Sequence, residues 1–327
     1  MMAMGGGAGL VAALEAARLH ALTRTDAGRR PVTDALLAAR GRHLRHLLAA
    51  MDYPAGGRDL ERVVFSYLDE TQREAVLAHI GVESAAWPGA VRVVVDIDDT
   101  LFASLHDRVY PHGVLYPGAL AFLTRCGGPT KYGRGGAPLT VVTARPEMLE
   151  PGTWRQLTRL GVPALAVLSG SVTSVATDGA MADRKAVNVE HLLVLHPKDR
   201  LVLVGDDGQG DLDLARQALA EWPSRVAAVF IHHVASAPPS PVAGVTFFDN
   251  YVDAAAQAAG LGLLQPGDVT RVAHAAHDEL AGLRFADPAR EWAARDAFNQ
   301  TVMRLGHTGL VLPLPALPDV TVTPPAY

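Results

Sequence analysis

Lysine is nearly absent from this 327-residue chain: Lys131, Lys185 and Lys198 are the only three, and arginine supplies the rest of the positive charge. Chemistry that needs a fixed ammonium therefore has three candidates. Positive charge as a whole is in deficit, with 29 Lys and Arg against 34 Asp and Glu. That balance argues against a nucleic-acid binder, which carries a basic excess. Cysteine is scarcer still: the single Cys126 excludes an internal disulfide and suits a reducing compartment. No apolar run approaches the roughly 20 residues that span a bilayer. The opening stretch MMAMGGGAGLVAALEAARLH has no basic segment ahead of its apolar part, and Glu15 and Asp26 count against a transit peptide. The expectation is a cytoplasmic protein.

What is present reads as a helical start, an α/β centre and a helical end. Three helices are expected at Ala8–Leu22, Val32–Met51 and Arg58–Ile80, from apolar residues at three- and four-residue spacing such as Leu36, Leu37, Leu44, Leu47 and Leu48. Past Pro88 the pattern changes. VRVVVD, PLTVVT, ALAVLS, RLVLVG and RVAAVFI each read as a strand buried on both faces, and such strands belong to a parallel sheet with helices on both sides. From about Asn250 the chain turns helical again, and it ends in LPLPALPDVTVTPPAY. The expected divisions are residues 1–87 (helical), 88–250 (α/β, catalytic), 251–310 (helical, packing on the core) and 311–327 (Pro-rich).

Four polar sites follow one another, each at a strand end or a helix start, where ligands gather in an open α/β sheet. In VVVDIDDTL, Asp96, Asp98 and Thr100 leave a strand together. Two carboxylates two residues apart can share one cation and one phosphate, with Asp96 as nucleophile and Asp98 as general acid and base. Thr143 ends PLTVVT and offers a hydroxyl to a phosphate oxygen. A phosphoryl site also needs a fixed cation. Lys185 is the choice, because it is expected to start a helix whose N-terminus lies at the carboxyl edge of the sheet. Lys198 follows that helix to the opposite edge, and Lys131 sits in the Gly-rich loop KYGRGG. Finally LVLVGDDGQGD supplies Asp206, Asp207 and Asp211 for Mg²⁺, which takes oxygen ligands. Asp206 is expected to ligate directly and Asp207 or Asp211 through water, while Asp211 is equally suited to capping the helix that follows.

The order of acid pair, hydroxyl, lysine and acid cluster resembles the haloacid dehalogenase superfamily, through Asp96/Asp98, Thr143, Lys185 and Asp206. Within it, Val93 to Val234 resembles the catalytic domain of actin-patch-associated phosphatidate phosphatases, through DIDDTL, YPGALAFL, GDDGQGDLDLA and AVFIHHV, with FFDNYVDAA beyond. The resemblance implies a Rossmann-like fold, Mg²⁺ as cofactor and phosphatidate as substrate, giving diacylglycerol; the short intervals from Phe102 to Tyr116 and from Thr143 to Lys185 leave no room for a large cap. It also implies substrate contacts at Thr100, Thr143, Ala144 and Arg145. Two positions depart from the family: Thr143-Ala144-Arg145-Pro146 stands where Ser-Ala-Ser-Pro is usual, and His232 where an Arg is frequent. Arg145 is suited either to a second anionic group or to an ion pair with a nearby acid, and His232 and His233 to structural roles. A phosphatase of soluble or protein phosphates, a phosphatidate-binding domain without turnover, and a scaffold using the PxxP of Pro315 and Pro318 stay open beside the lipid reading. The basic stretch ARGRHLRHLL is suited to a solvated face or to peripheral contact with anionic lipid.

Overall fold

A computed structural model describes residues 26–52, 60–127, 139–170, 178–208, 210–235 and 239–316. The expected helix at Ala8–Leu22, Lys131 and Pro318 lie outside these. The strands are β1 (Val91–Val95), β2 (Leu139–Pro146), β3 (Ala164–Gly170), β4 (Arg200–Asp206), β5 (Val226–His232) and β6 (Val245–Phe248). They form one parallel sheet in the order β3-β2-β1-β4-β5-β6, flanked by helices. This is the Rossmann-like α/β architecture that the doubly buried strands require: Val93, Val94, Val95, Val202 and Val204 are all buried, as residues covered from both sides must be. β6 was not anticipated. Its four residues, VTFF, have strand character but pair with β5 alone and are mostly half-buried, so they lack the long apolar run of the others.

The chain divides into two compact units, residues 1–94, 138–201 and 216–227, and residues 95–137, 202–215 and 228–327. In the first, α1 (Asp26–Ala38), α2 (Gly41–Asp52) and α3 (Glu70–Glu83) pack Leu36, Leu44, Leu48, Val76 and Ile80 into one cluster with Leu60, Val64 and Leu195. The single helix expected over Val32–Met51 is two. The first ends at Ala38, and Gly41 opens the next with φ +49°, a left-handed conformation that only glycine adopts cheaply. The helix expected over Arg58–Ile80 is also broken. A turn at Leu60–Arg62 runs into a π-turn at Val63–Tyr67. Asp69 then turns extended and caps α3, accepting from Gln72 N while the Gln72 side chain accepts from Asp69 N. Such a capping box satisfies two helix-end donors, which favours a new start over continuation.

The second unit holds α4 (Ala119–Cys126), the start of α7 (Asp211–Glu221), α8 (Tyr251–Gly260), α9 (Pro266–Gly282) and α10 (Pro288–Arg304), while α5 (Glu150–Arg159) and α6 (Asp178–Leu195) belong to the first. Val252, Ala276, Leu280, Phe298 and Val302 form its helical core. Cys126 is buried there, and burial pushes its thiol well above the usual range, so it is a packing residue. Between Phe102 and Tyr116 the chain forms a small folded loop, with Ala103 N bonded to Val114 O and Tyr116 N to Leu101 O. No helix among the described residues is long and apolar enough to cross a membrane.

Candidate active site

The site is built from three carboxylates that the backbone forces together. The ladder between β1 and β4 continues one residue past β1, Asp96 N donating to Val204 O at 3.0 Å, which fixes Asp96 beside the end of β4. Asp206 is the last residue of β4 and fully buried. Asp211 opens α7 and reaches back, its Oδ2 accepting from Asp206 N at 3.3 Å. Only a glycine at 205 permits this: a Cβ there would lie 2.5 Å from Asp211 Cβ. The three carboxylates offer ligand atoms within 4.8 Å of one another, and all three residues are buried.

Three buried carboxylates in so small a volume repel, and each is costly to ionise alone. A divalent cation removes both costs, and hard oxygen donors are what Mg²⁺ takes. The residues present therefore fit a metal ion. Asp206 is held on both sides, by Gly208 N at 2.7 Å and Thr100 Oγ1 at 3.5 Å. Tyr251 donates to Thr100 O at 2.6 Å. Burial, with Asp206 and Asp96 nearby, keeps that phenol protonated far past the usual range.

The other acids of the two motifs do different work. Asp98 is half-buried and accepts from Ser104 Oγ at 2.7 Å. Asp99, fully buried at φ +57°, was not singled out from sequence. Its carboxylate gathers the N–H groups of Ser104, Leu105 and His106 at 2.6 to 3.1 Å, together with His106 Nδ1 at 3.2 Å, so it ties down the loop after β1. The available signal was the third acid of DIDDT, since Asp is among the few residues that tolerate a left-handed backbone. Asp107 accepts from Val109 N, Tyr110 N and Tyr116 OH in the same loop.

Asp207 lies outside the three-acid cluster. Its carboxylate accepts from His233 Nδ1 and from Val234 N and Ala235 N at 2.8 and 2.9 Å. Burial alone would raise its pKa, but these donors outweigh it and hold the carboxyl below its usual range. His232 is enclosed, Tyr116 edge-on at 4.5 Å and Phe248 stacked at 5.0 Å, with its Nδ1 against Asp99 O at 2.8 Å. Burial pushes its pKa down, so the ring is neutral and structural.

The remaining sequence-singled residues belong to the first unit. Thr143 is buried on β2, which runs three residues further than expected, to Pro146, with a register shift after Val142. Thr143 Oγ1 accepts from Arg145 N at 3.2 Å. Ala144 O packs against Gly170, where a Cβ would clash. Arg145 donates to Gln156 Oε1 at 3.0 Å. Lys185 is buried, but it is the eighth residue of α6 and not its start: DGAMADR ahead of it continues the helix, since Ala and Met are strong helix formers. Arg62 binds Glu147 at 3.2 Å and the buried Glu150, contacts no sequence periodicity announces. Burial raises the pKa of Glu150 despite the lowering pull of Arg62.

The structure thus brings Asp96, Asp206 and Asp211 together, with Thr100 against Asp206, and turns Asp207 aside. No curated protein and no solved structure matches the chain. The stretch that matches a family model includes Thr143, Lys185, Asp206, Asp207 and Asp211 and begins after Asp96 and Asp98. Over residues 133–233, a little under a third of its length, the chain is similar to a family whose model is described as phosphatidate phosphatase APP1, catalytic domain, in agreement with the resemblance its motifs carry.

Proposed function

We propose that this protein is a Mg²⁺-dependent phosphatase that hydrolyses phosphatidate to diacylglycerol and inorganic phosphate through a phospho-aspartate. The observation that carries the proposal is the buried cluster of Asp96, Asp206 and Asp211 at the strand ends, in a chain similar to a phosphatidate phosphatase catalytic domain. A carboxylate oxygen of Asp96 attacks phosphorus, the P–O bond to the glycerol oxygen breaks, and Asp98 gives that oxygen its proton. Water then attacks the phosphorus, the P–O bond to Asp96 breaks, and Asp98 takes a proton from the water. The ion held by Asp96, Asp206 and Asp211 would supply positive charge to the phosphoryl oxygens. Motif order assigns Thr143 a phosphate hydrogen bond and Lys185 the fixed cation. Ala144 and Arg145 follow as substrate contacts, and Arg145 suits a second anionic group.

A lipid substrate is supported by the residues after Arg145. Met148 and Leu149 are 74% and 53% exposed on the short turn into α5, side chains that an aqueous ligand does not need. The test is phosphate release by the purified protein, with and without Mg²⁺, from phosphatidate in mixed micelles and from a panel of soluble phosphoesters. The expected result is metal-dependent release that favours phosphatidate in kcat/KM. A soluble ester favoured by about tenfold, roughly 1.4 kcal/mol in transition-state binding, would remove the lipid assignment and keep the phosphatase.

A further inference from the structure

The helix α2, Gly41–Asp52, buries Leu44, Leu47, Leu48 and Met51 in the helical core of its unit. Those four mark one face. The opposite face carries Arg42, His43 and His46, all exposed, with half-exposed Arg45 at its flank, and no acidic residue occurs between Gly41 and Met51. The ion pairs of the neighbourhood stop short of this face. Arg40, just ahead of the helix, is bound to Glu83, which also accepts from Gly41 N at 2.7 Å. Arg29 is paired with Asp69, and Arg62 with Glu147 and Glu150. Neither Arg42 nor Arg45 makes an ion pair or hydrogen bond among the described residues. In a chain of net charge −5, an unneutralised basic helix face is a local feature against the global trend.

We infer that this face of α2 docks on an anionic lipid surface. Charge complementarity selects the partner. Unpaired guanidinium groups on a rigid helix suit the phosphate-rich plane of a membrane, where each is worth about 1 kcal/mol. The net negative charge disfavours a nucleic acid, whose whole length repels the rest of the protein. Ala49 and Ala50 lie on the same exposed side and leave the arginines unobstructed. The helical layer is also tied to the apolar turn described above, since Arg62 holds Glu147 and Glu150 on either side of Met148 and Leu149. The inference rests on the lipid reading of the substrate, and its test separates the two.

The experiment is flotation of the full chain with phosphatidylcholine vesicles, alone or mixed with phosphatidate or phosphatidylserine. It compares the wild type with the double variant Arg42→Gln/Arg45→Gln, whose circular dichroism and turnover of a soluble phosphoester report the fold. The wild type is expected to float with either anionic mixture, not with phosphatidylcholine alone, and to be released by salt. The double variant should bind roughly thirtyfold more weakly, from the loss of two charges, with soluble turnover unchanged. Equal binding by the two proteins, or equal binding to neutral and anionic vesicles, overturns the inference. So does comparable binding of the wild type to single-stranded RNA that the double variant loses. If neither protein turns over any phosphoester while the flotation difference persists, the enzymatic reading fails and the lipid-docking face stands.

Discussion

Two sets of aspartates lie within the same unit and meet opposite fates. Asp96, Asp206 and Asp211 converge at the ends of β1 and β4 and the start of α7, carboxylate against carboxylate. Asp99, Asp107 and Asp207 lie in the adjoining loops and are each surrounded by N–H and O–H donors. The residue type is the same, and in DIDDT and GDDGQGD the members of the two sets are separated by one to four positions. The first set is a group that could hold a metal ion; the second is engaged by backbone and side-chain donors. Removing a carboxylate from the first should damage function and spare the fold, and from the second the reverse.

The largest expected effect is Asp96→Asn, which should lower kcat by about three orders of magnitude or more, since no other group takes the covalent role. Near-normal turnover of the best substrate by this variant would end the proposed mechanism. Asp98→Asn sharpens it. The variant should still transfer phosphate from an ester with a good leaving group and fail on an alkyl phosphate, because only the poor leaving group needs a proton. Equal losses on both esters would take Asp98 out of that role.

On the stability side, Asp99→Ala should cost about 3 kcal/mol. It strands several backbone donors and puts alanine at positive φ. Chemical denaturation of the wild type and the variant measures it, and a loss under about 1 kcal/mol would show that the loop needs no such tie.

A fourth variant crosses the comparison. Asp211→Asn should leave the metal-free protein as stable as the wild type or more so, because it removes one of three repelling charges. Mg²⁺ at a hundredfold excess over its Kd should stabilise the wild type by about 2.7 kcal/mol and the variant far less. Melting curves with and without the ion test this, and an unchanged metal response in the variant would remove Asp211 from the cluster's function.

The smallest effect concerns His232. Burial pushes its pKa below the ordinary value near 6.5. Above that pH the ring is neutral in folded and unfolded chains alike. Below it the unfolded chain takes up the proton that the buried ring refuses, so stability falls as pH drops, by up to about 1.4 kcal/mol per pH unit. His232→Gln should flatten that slope between about pH 6.5 and pH 5. Melting temperatures across this range decide it, and an unchanged slope would mean that other groups carry the acid sensitivity.

Much of the sheet was legible because a strand buried on both faces needs an uninterrupted apolar run, and VRVVV, LTVVT and RLVLVG have one. β6 was not, because four half-buried residues produce no such run. The helix breaks at Gly41 and Asp69 carried local signals, a glycine and a D-x-x-Q capping box, that periodicity alone overrides. Arg62 with Glu150, and Arg145 with Gln156, join residues by through-space contacts to which sequence spacing gives no clue.

The sequence by itself determined which side chains can act on a phosphate and that several of them leave parallel strands, because residue chemistry and apolar periodicity are local properties. The tertiary structure alone decided which acids those are to be. In DIDDT and GDDGQGD every aspartate is chemically equivalent until the chain folds. Backbone N–H groups then turn toward Asp99 and Asp207, and a glycine at 205 admits Asp211 beside Asp96 and Asp206. The difference between an acid that ties a loop and one that could hold a cation is where the backbone donors of the fold happen to point.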